Sequence, residues 1–332
     1  MASKTRILGV SSIVMWCVLA LCLGGFVVAT PQSQEDDETR KLWDTGFLQK
    51  RPAGRSSKRR KAQVKYRPAG ASTTPSPTDS VVGVTIWRLR PSTATDDQEV
   101  RQLVYEEGEW TPERISADMP LLEGQRVQIT IESPRAGFLY VFDRELYADG
   151  SMGEPYLIFP MLSISGGDNK VMPGRVVEVP SSEDQPPYYT LKRSRPDHEG
   201  EVLTVLVTDK PLADLTIGRR ALKVSREQLE MYEKKWGASV QKIELVGGAG
   251  TPMTKVERAA GKRKAVLTQA DSLPQTIYRV RSKPGAPLLL TVPLRIGKAS
   301  GAGFDRCTKS VGCLIHGTAR NISLSSLLPH TL

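Results

Sequence analysis

The residues of this chain with chemical potential are three histidines, several clustered carboxylates, two C-terminal cysteines and one dense run of cations. A nucleophilic triad or a zinc site needs a histidine held rigidly beside its partners. His198 lies in Arg195-Pro196-Asp197-His198-Glu199-Gly200, which is turn chemistry ahead of a strand, so it reads as a loop residue; His316 and His330 fall in the C-terminal tail. No HExxH, GxSxG or Walker A spacing occurs, and Gly247-Gly248-Ala249-Gly250 lacks the Gly-Lys-Ser/Thr that would hold phosphates, so it reads as a bend. Asp143, Glu145 and Asp149 precede Gly150 and could gather in one loop. Calcium requires several oxygens converging at defined spacing, and this is not the EF-hand pattern; ordinary turn residues are the alternative. A Glu/Asp pair for glycoside hydrolysis is set by the fold rather than by spacing, so that option stays open. The sequence itself assigns no catalytic residue, no metal ligand and no cofactor.

The cations are more informative. Lys50, Arg51, Arg55, Lys58, Arg59, Arg60, Lys61, Lys65 and Arg67 fall within eighteen residues that hold no acid. With Lys4 and Arg6 near the N-terminus they exceed the whole net charge of +10, so the remainder of the chain is close to neutral. Such an arm binds polyanions by releasing counterions. The alternative is a merely solvated linker. Cys17 and Cys22 lie in the hydrophobic N-terminal segment, which leaves Cys307 and Cys313 as a pair able to close a small local disulfide in an oxidising compartment. No cysteine lies between residues 67 and 296, which excludes a disulfide framework or thiolate metal site there.

The chemistry needs a compartment, and the N-terminus supplies an expectation. Lys4 and Arg6 precede an uncharged, mostly apolar run over 7–29, with Val27-Val28-Ala29 as a cleavage site before Thr30. The run is also long enough to span a bilayer, so a cleaved signal peptide and an uncleaved signal anchor both stand. Behind such a leader, the arm's expected partners are anionic lipid head groups, lipopolysaccharide phosphates, cell-wall polymers or other envelope proteins rather than nucleic acid.

Residues 30–79 read as a disordered basic linker, rich in Ala, Ser, Thr and Pro and too poor in apolar side chains to offset its ordering entropy. Leu42, Trp43, Phe47 and Leu48 form one apolar island there that would dock on a domain or a membrane surface. From Ser80 the pattern changes to strands. Val127, Ile129 and Ile131 alternate with Gln128, Thr130 and Glu132, and 138–142 is apolar on both faces, as a central strand is. Further strands are expected at 156–159, 176–179, 188–191, 202–207, 277–280 and 288–294. Ser133-Pro134-Arg135-Ala136-Gly137 reads as a hairpin turn, and Asp149-Gly150 as part of a longer loop. One helix is expected where Ser225 and Gln228 make a capping box, Leu229, Tyr232 and Trp236 share a face, and Gly237 can stop it.

Glu123-Gly124-Gln125-Arg126-Val127, then Gly137-Phe138-Leu139-Tyr140-Val141-Phe142-Asp143, Asp149-Gly150, Leu157-Ile158-Phe159-Pro160, and Gly200-Glu201-Val202-Leu203-Thr204-Val205-Leu206 with Pro211-Leu212 follow one another in order. Over 121–215 this resembles the bacterial family known as domain of unknown function 4384. The resemblance implies a non-enzymatic, β-rich module of exported or multidomain bacterial proteins, and it carries over no catalytic residue.

The expected fold is therefore mainly β: an antiparallel β-sandwich over 80–296 with one packed α-helix, preceded by a hydrophobic leader helix over 1–29 and the linker, and followed by a flexible tail over 297–332. The expected function is non-catalytic binding or scaffolding in a bacterial envelope, periplasmic or secreted, or anchored to the inner membrane by 7–29. The rival is a carboxylate-dependent hydrolase acting on envelope polysaccharide.

Overall fold

The computed structural model describes residues 44–54, 66–68, 79–104, 107–163, 165–181 and 184–297. The leader, most of the cationic run, His316, His330, Cys307 and Cys313 lie outside the described residues.

Two antiparallel sheets pack face to face. The first is organised on β2 (Asp79–Pro91). One side of β2 pairs with β5 (Arg126–Glu132) through Gly83–Glu132 to Arg88–Val127. Its other side carries two strands in tandem, β14 (Thr276–Arg281) against its first half and β4 (Gly108–Ile115) against its second. Thirteen residues make β2 long enough for both. Beyond β14 lie β13 (Ser239–Leu245) and β1 (Tyr66–Pro68); beyond β4 lies β3 (Gln102–Val104); beyond β5 lie β9 (Val176–Val179) and β10 (Tyr189–Thr190).

The second sheet runs β12 (Leu222–Lys223), β7 (Tyr156–Phe159), β6 (Gly137–Tyr147), β11 (His198–Thr208) and β15 (Leu288–Arg295), with β8 (Lys170–Val171) also on β6. Alternation settles what each face buries. Val84, Ile86, Val127, Ile129 and Ile131 from the first sheet meet Leu139, Val141, Leu203, Val205, Leu290 and Val292 from the second in the central core. The outward residues Tyr140, Phe142, Leu206 and Leu289 receive helix α1 (Arg226–Trp236) through Leu229 and Tyr232, with Trp236 at the margin. This is why 138–142 is apolar on both faces: each has its own cover. Ser225 caps α1 by accepting from the Gln228 amide at 3.1 Å, but the Gln228 side chain donates to Asp214 and Tyr232 instead of closing a capping box.

Three expectations are changed by the structure. Residues 133–136 do not turn a hairpin, because β5 and β6 belong to different sheets and the segment arches between them. A periodic strand pair looks alike in sequence whether its partners pair edge to edge or face to face. A second helix, α2 (Lys255–Gly261), follows β13, with Thr254 and Glu257 forming the capping box that α1 lacks. Its buried residues include Glu257 and Arg258, so no apolar stripe marks it. Finally, part of the expected linker is built into the body. Phe47 is fully buried against Val81, Ile243 and Ile277, and β1 pairs with β13 from Tyr66–Leu245 to Pro68–Ile243.

Arg51 explains how a segment with so little apolar surface stays docked. Its guanidinium forks onto Glu132, with Nε and Nη2 each donating to a carboxylate oxygen at 2.7 Å, and Nη1 donates to the Ser272 carbonyl at 3.0 Å. Glu132 projects from the outer face of the first sheet, where Trp87 Nε1 donates to Thr130 Oγ1 at 3.0 Å and Arg114 pairs with Glu257. Helix α2 and residues 268–273 roof this polar layer, and Gly261 comes so close to Glu178 that a Cβ would stand 2.0 Å from its Oε1. A buried pair broken on one side leaves an uncompensated charge, at a cost of about 3–5 kcal/mol. Arg51→Met should therefore lower the urea midpoint sharply, while Arg51→Met with Glu132→Leu should recover most of the loss; equal damage in both variants would show that the loss does not come from a stranded Glu132 charge.

Candidate functional site

The acidic residues Asp143, Glu145 and Glu201 share one end of the sandwich. Leu139 and Val141 face the core, so the period of two turns Asp143 and Glu145 to the same side. Across the sheet, Leu203 stands opposite Asp143 and Glu201 directly opposite Glu145. Two carboxylates thus face one another in register, with a third one pleat away. Asp143 is 7% exposed and Glu201 1%, while Glu145 is half-buried. Asp143 Oδ1, Glu145 Oε1 and Glu201 Oε2 are buried without a hydrogen-bond partner.

The surrounding groups soften this arrangement only partly. Tyr147 donates to Glu145 Oε2 at 2.5 Å, and burial together with that carboxylate pushes its phenol up to about 12. The Arg195 guanidinium lies 3.3 Å above the Tyr147 ring and pairs with Asp197 at 2.8 Å. His198 is the first residue of β11 and is fully buried, in contrast to the loop position expected. Its Nδ1 receives the Ser194 backbone N–H at 3.1 Å, so Nε2 carries the proton and donates to the Gly200 carbonyl at 2.8 Å. Glu201 Oε1 lies 3.4 Å from the same Nε2. The imidazole is thus committed to pinning the start of β11. From the first sheet, Tyr189 on β10 enters the same core; its buried hydroxyl has no partner, and burial followed by the charge of Asp143 raises its pKa.

Burial, then the charge of Glu145, pushes the Asp143 carboxyl up to about 7. Burial, then Asp143 and Glu145, raises Glu201 well above the usual range. The arrangement is suited to holding protons. Asp149, by contrast, sits in the following turn, where it accepts from the Ser151 N–H at 2.8 Å and Oγ at 2.6 Å, and Gly150 takes the left-handed φ of 80° that the turn requires. The loop once open to calcium is therefore divided between a buried strand face and an exposed turn. Among the described residues no group of three His, Cys, Asp or Glu side chains could hold a metal ion. Likewise, no helix among them is long and apolar enough to cross a membrane.

The expected polyanion-binding residues fare differently from one another. Lys50 is exposed at the end of a short 3-10 turn. Arg51 is 2% exposed and spent on Glu132, so the structure takes it out of the arm. Arg67 falls in β1, in register with Glu244. Arg55, Lys58, Arg59, Arg60, Lys61 and Lys65 lie outside the described residues. Sequence reasoning missed the carboxylate end because Glu145 and Glu201 become neighbours only through the β6–β11 register. The available signal was Glu201, an acid directly preceding the largely apolar run Val202–Val207 of a central strand.

No family model, curated protein or solved structure matches this chain. The residues therefore carry the functional argument.

The pH dependence of stability follows from the raised carboxyls. Moving Asp143 from near 4 to about 7 corresponds to on the order of 4 kcal/mol against its ionised form. The folded state binds more protons than the unfolded one between these values, so this contribution is fully present below about pH 4 and is lost as pH rises through about 7. The difference in urea stability between Asp143→Asn and the parent should therefore move in the variant's favour from acid to neutral pH. Subtracting the parent cancels surface carboxylates such as Glu154 and Asp168, whose cationic partners lower them and give the opposite slope. A difference that shrank with rising pH would contradict the placement of Asp143.

Proposed function

We propose that this protein is a non-catalytic binding or scaffolding module of the bacterial envelope, exported by its N-terminal segment and touching anionic envelope material through its cationic run. The observation that carries this reading is the fastening of that run at both ends. Arg51 is locked to Glu132 on one side and β1 is paired with β13 on the other. The six cations of 55–65 belong to a stretch whose ends are fixed to the same sheet. A charged segment held in this way forfeits less chain entropy on meeting a surface than a free tail does. The family resemblance drawn from the sequence over 121–215 also supports a module without catalysis.

The hydrolase reading would have to use Glu145 and Glu201. Glu201 is 1% exposed and faces the core, where a polysaccharide cannot reach it without the sandwich parting. That burial favours the non-catalytic reading.

The test leaves Arg51 untouched, since its loss would unfold the docked segment. The full chain with Arg55, Lys58, Arg59, Arg60, Lys61 and Lys65 all changed to Gln should lose salt-sensitive cosedimentation with vesicles containing anionic lipid, keeping the parent's melting temperature. With a slope of about 0.7–0.9 per neutralised phosphate on logarithmic axes, several contacts make the parent's binding steeply salt-dependent. Binding that persists in the variant, or that ignores salt in the parent, would end the reading.

A further inference from the structure

The carboxylate end of the sandwich has two properties that belong together. It is where the inner face changes from apolar to acidic, and it is where both strands run out. β6 ends at Tyr147, and β11 shifts register between His198 and Gly200. Past that point the hold thins to an isolated bridge from Leu146 to Met152, the Ala148 N–H on the Asp197 carbonyl at 2.8 Å, the Ile296 N–H on the Glu199 carbonyl at 2.7 Å, and Arg193 on the carbonyls of His198 and Ile296.

Charged and titratable groups approach the cluster from several elements, Tyr156 of β7 among them, buried in the same core and in register with Asp143. From β6 come Glu145 and Tyr147, with Arg144 on the opposite face and paired with Glu233. From β11 come His198 and Glu201; from β10 comes Tyr189, with the charge of Asp184 beyond it. From 193–197 come Arg195, already paired with Asp197, and Arg193, whose guanidinium donates to carbonyls and lies 3.8 Å from Glu123. None of these cations forms an ion pair with Asp143, Glu145 or Glu201. Among the described residues no group of three His, Cys, Asp or Glu side chains is placed to hold a metal ion here. The remaining counterpart is the proton, and the unpaired Tyr189 hydroxyl, 3% exposed, is buried within range of the Asp143 charge.

We propose that Asp143 and Glu201, crowded by the charge of Glu145, form a proton-operated latch: the sandwich end made by 145–153 and 193–201 is closed while these two carboxyls hold protons and opens when they lose them. Opening at the strand ends hydrates the carboxylates without breaking the register of β2 with β5, so it costs less than global unfolding. The loss of protons by the latch needs no ligand, so this inference stands apart from the cationic run and survives the failure of that reading.

Hydrogen exchange on the full chain, followed by mass spectrometry at about pH 5 and about pH 8 and corrected for intrinsic rates, reads the latch directly. Protection of 145–153 and 193–201 should fall about tenfold or more at the higher pH, since each pH unit above a folded pKa favours the open form by about tenfold per group. Protection of 83–88 and 127–132 should stay unchanged. Asp143→Asn with Glu201→Gln should hold the end closed at both pH values; Glu201→Gln alone, as the milder variant, should reduce the response. Equal protection at both pH values, an undiminished response in the variants, or a loss shared equally by β2 and β5 would overturn the proposal.

Discussion

Glu132 is a carboxylate on the outer face of a sheet, and that face is not solvent. Helix α2, residues 268–273 and residues 47–54 cover it, so the charge must be met inside the molecule. Arg51 meets it with a two-pronged hydrogen bond, and much else follows from that fork. It draws 47–54 across the sheet, and Phe47 fills the hollow between Val81 and Ile277. The same segment brings β1 within reach of the β13 edge. The sheet is thus the middle layer of a thicker body rather than a wall with a polar face to water.

The two outer faces are covered by opposite means. On the second sheet α1 brings aromatic and aliphatic bulk, Tyr232 stacking on Trp236 with ring centroids 5.1 Å apart and Leu229 fully buried. On the first sheet the cover is an ion-paired layer, with Arg114 stacked over Trp87 at 5.1 Å and bonded to Glu257. Apolar cover stabilises by area and tolerates small shifts, whereas paired charges demand fixed geometry. The first sheet is accordingly the more rigidly specified of the two, and the second carries the acids with unpaired oxygens.

This difference also decides what could be read from sequence. The strands at 156–159 and 176–179 coincide with the expected ones, and 126–132 and 288–295 differ by a residue or so, because each is a short apolar or alternating run between turns. The helix at 226–236 was legible from its cap and stripe. Strand β13 was not: Ser239–Leu245 alternates weakly and only Ile243 is fully buried. Nor was α2, whose inward residues are charged. The arch at 133–136 failed for a further reason: partner choice is a property of the whole fold. The carboxylate end belongs to the same class, since nothing local joins Glu145 to Glu201, and the ion partner of Arg51 lies eighty-one residues away. Charge density alone placed Arg51 in a solvated arm, while burial placed it in the core.

The long β2 strand has one more implication, for the order in which the protein can be made. Its first half is completed by β14, which joins Gly83 to Ile277, and the second sheet is completed by β15 against β11. Both closing strands come from the last part of the described chain, so neither sheet is whole until residues 276–295 have emerged. Contacts so distant in sequence close slowly. A nascent chain of this topology can complete neither sheet through most of its synthesis, so the two sheets close together and late.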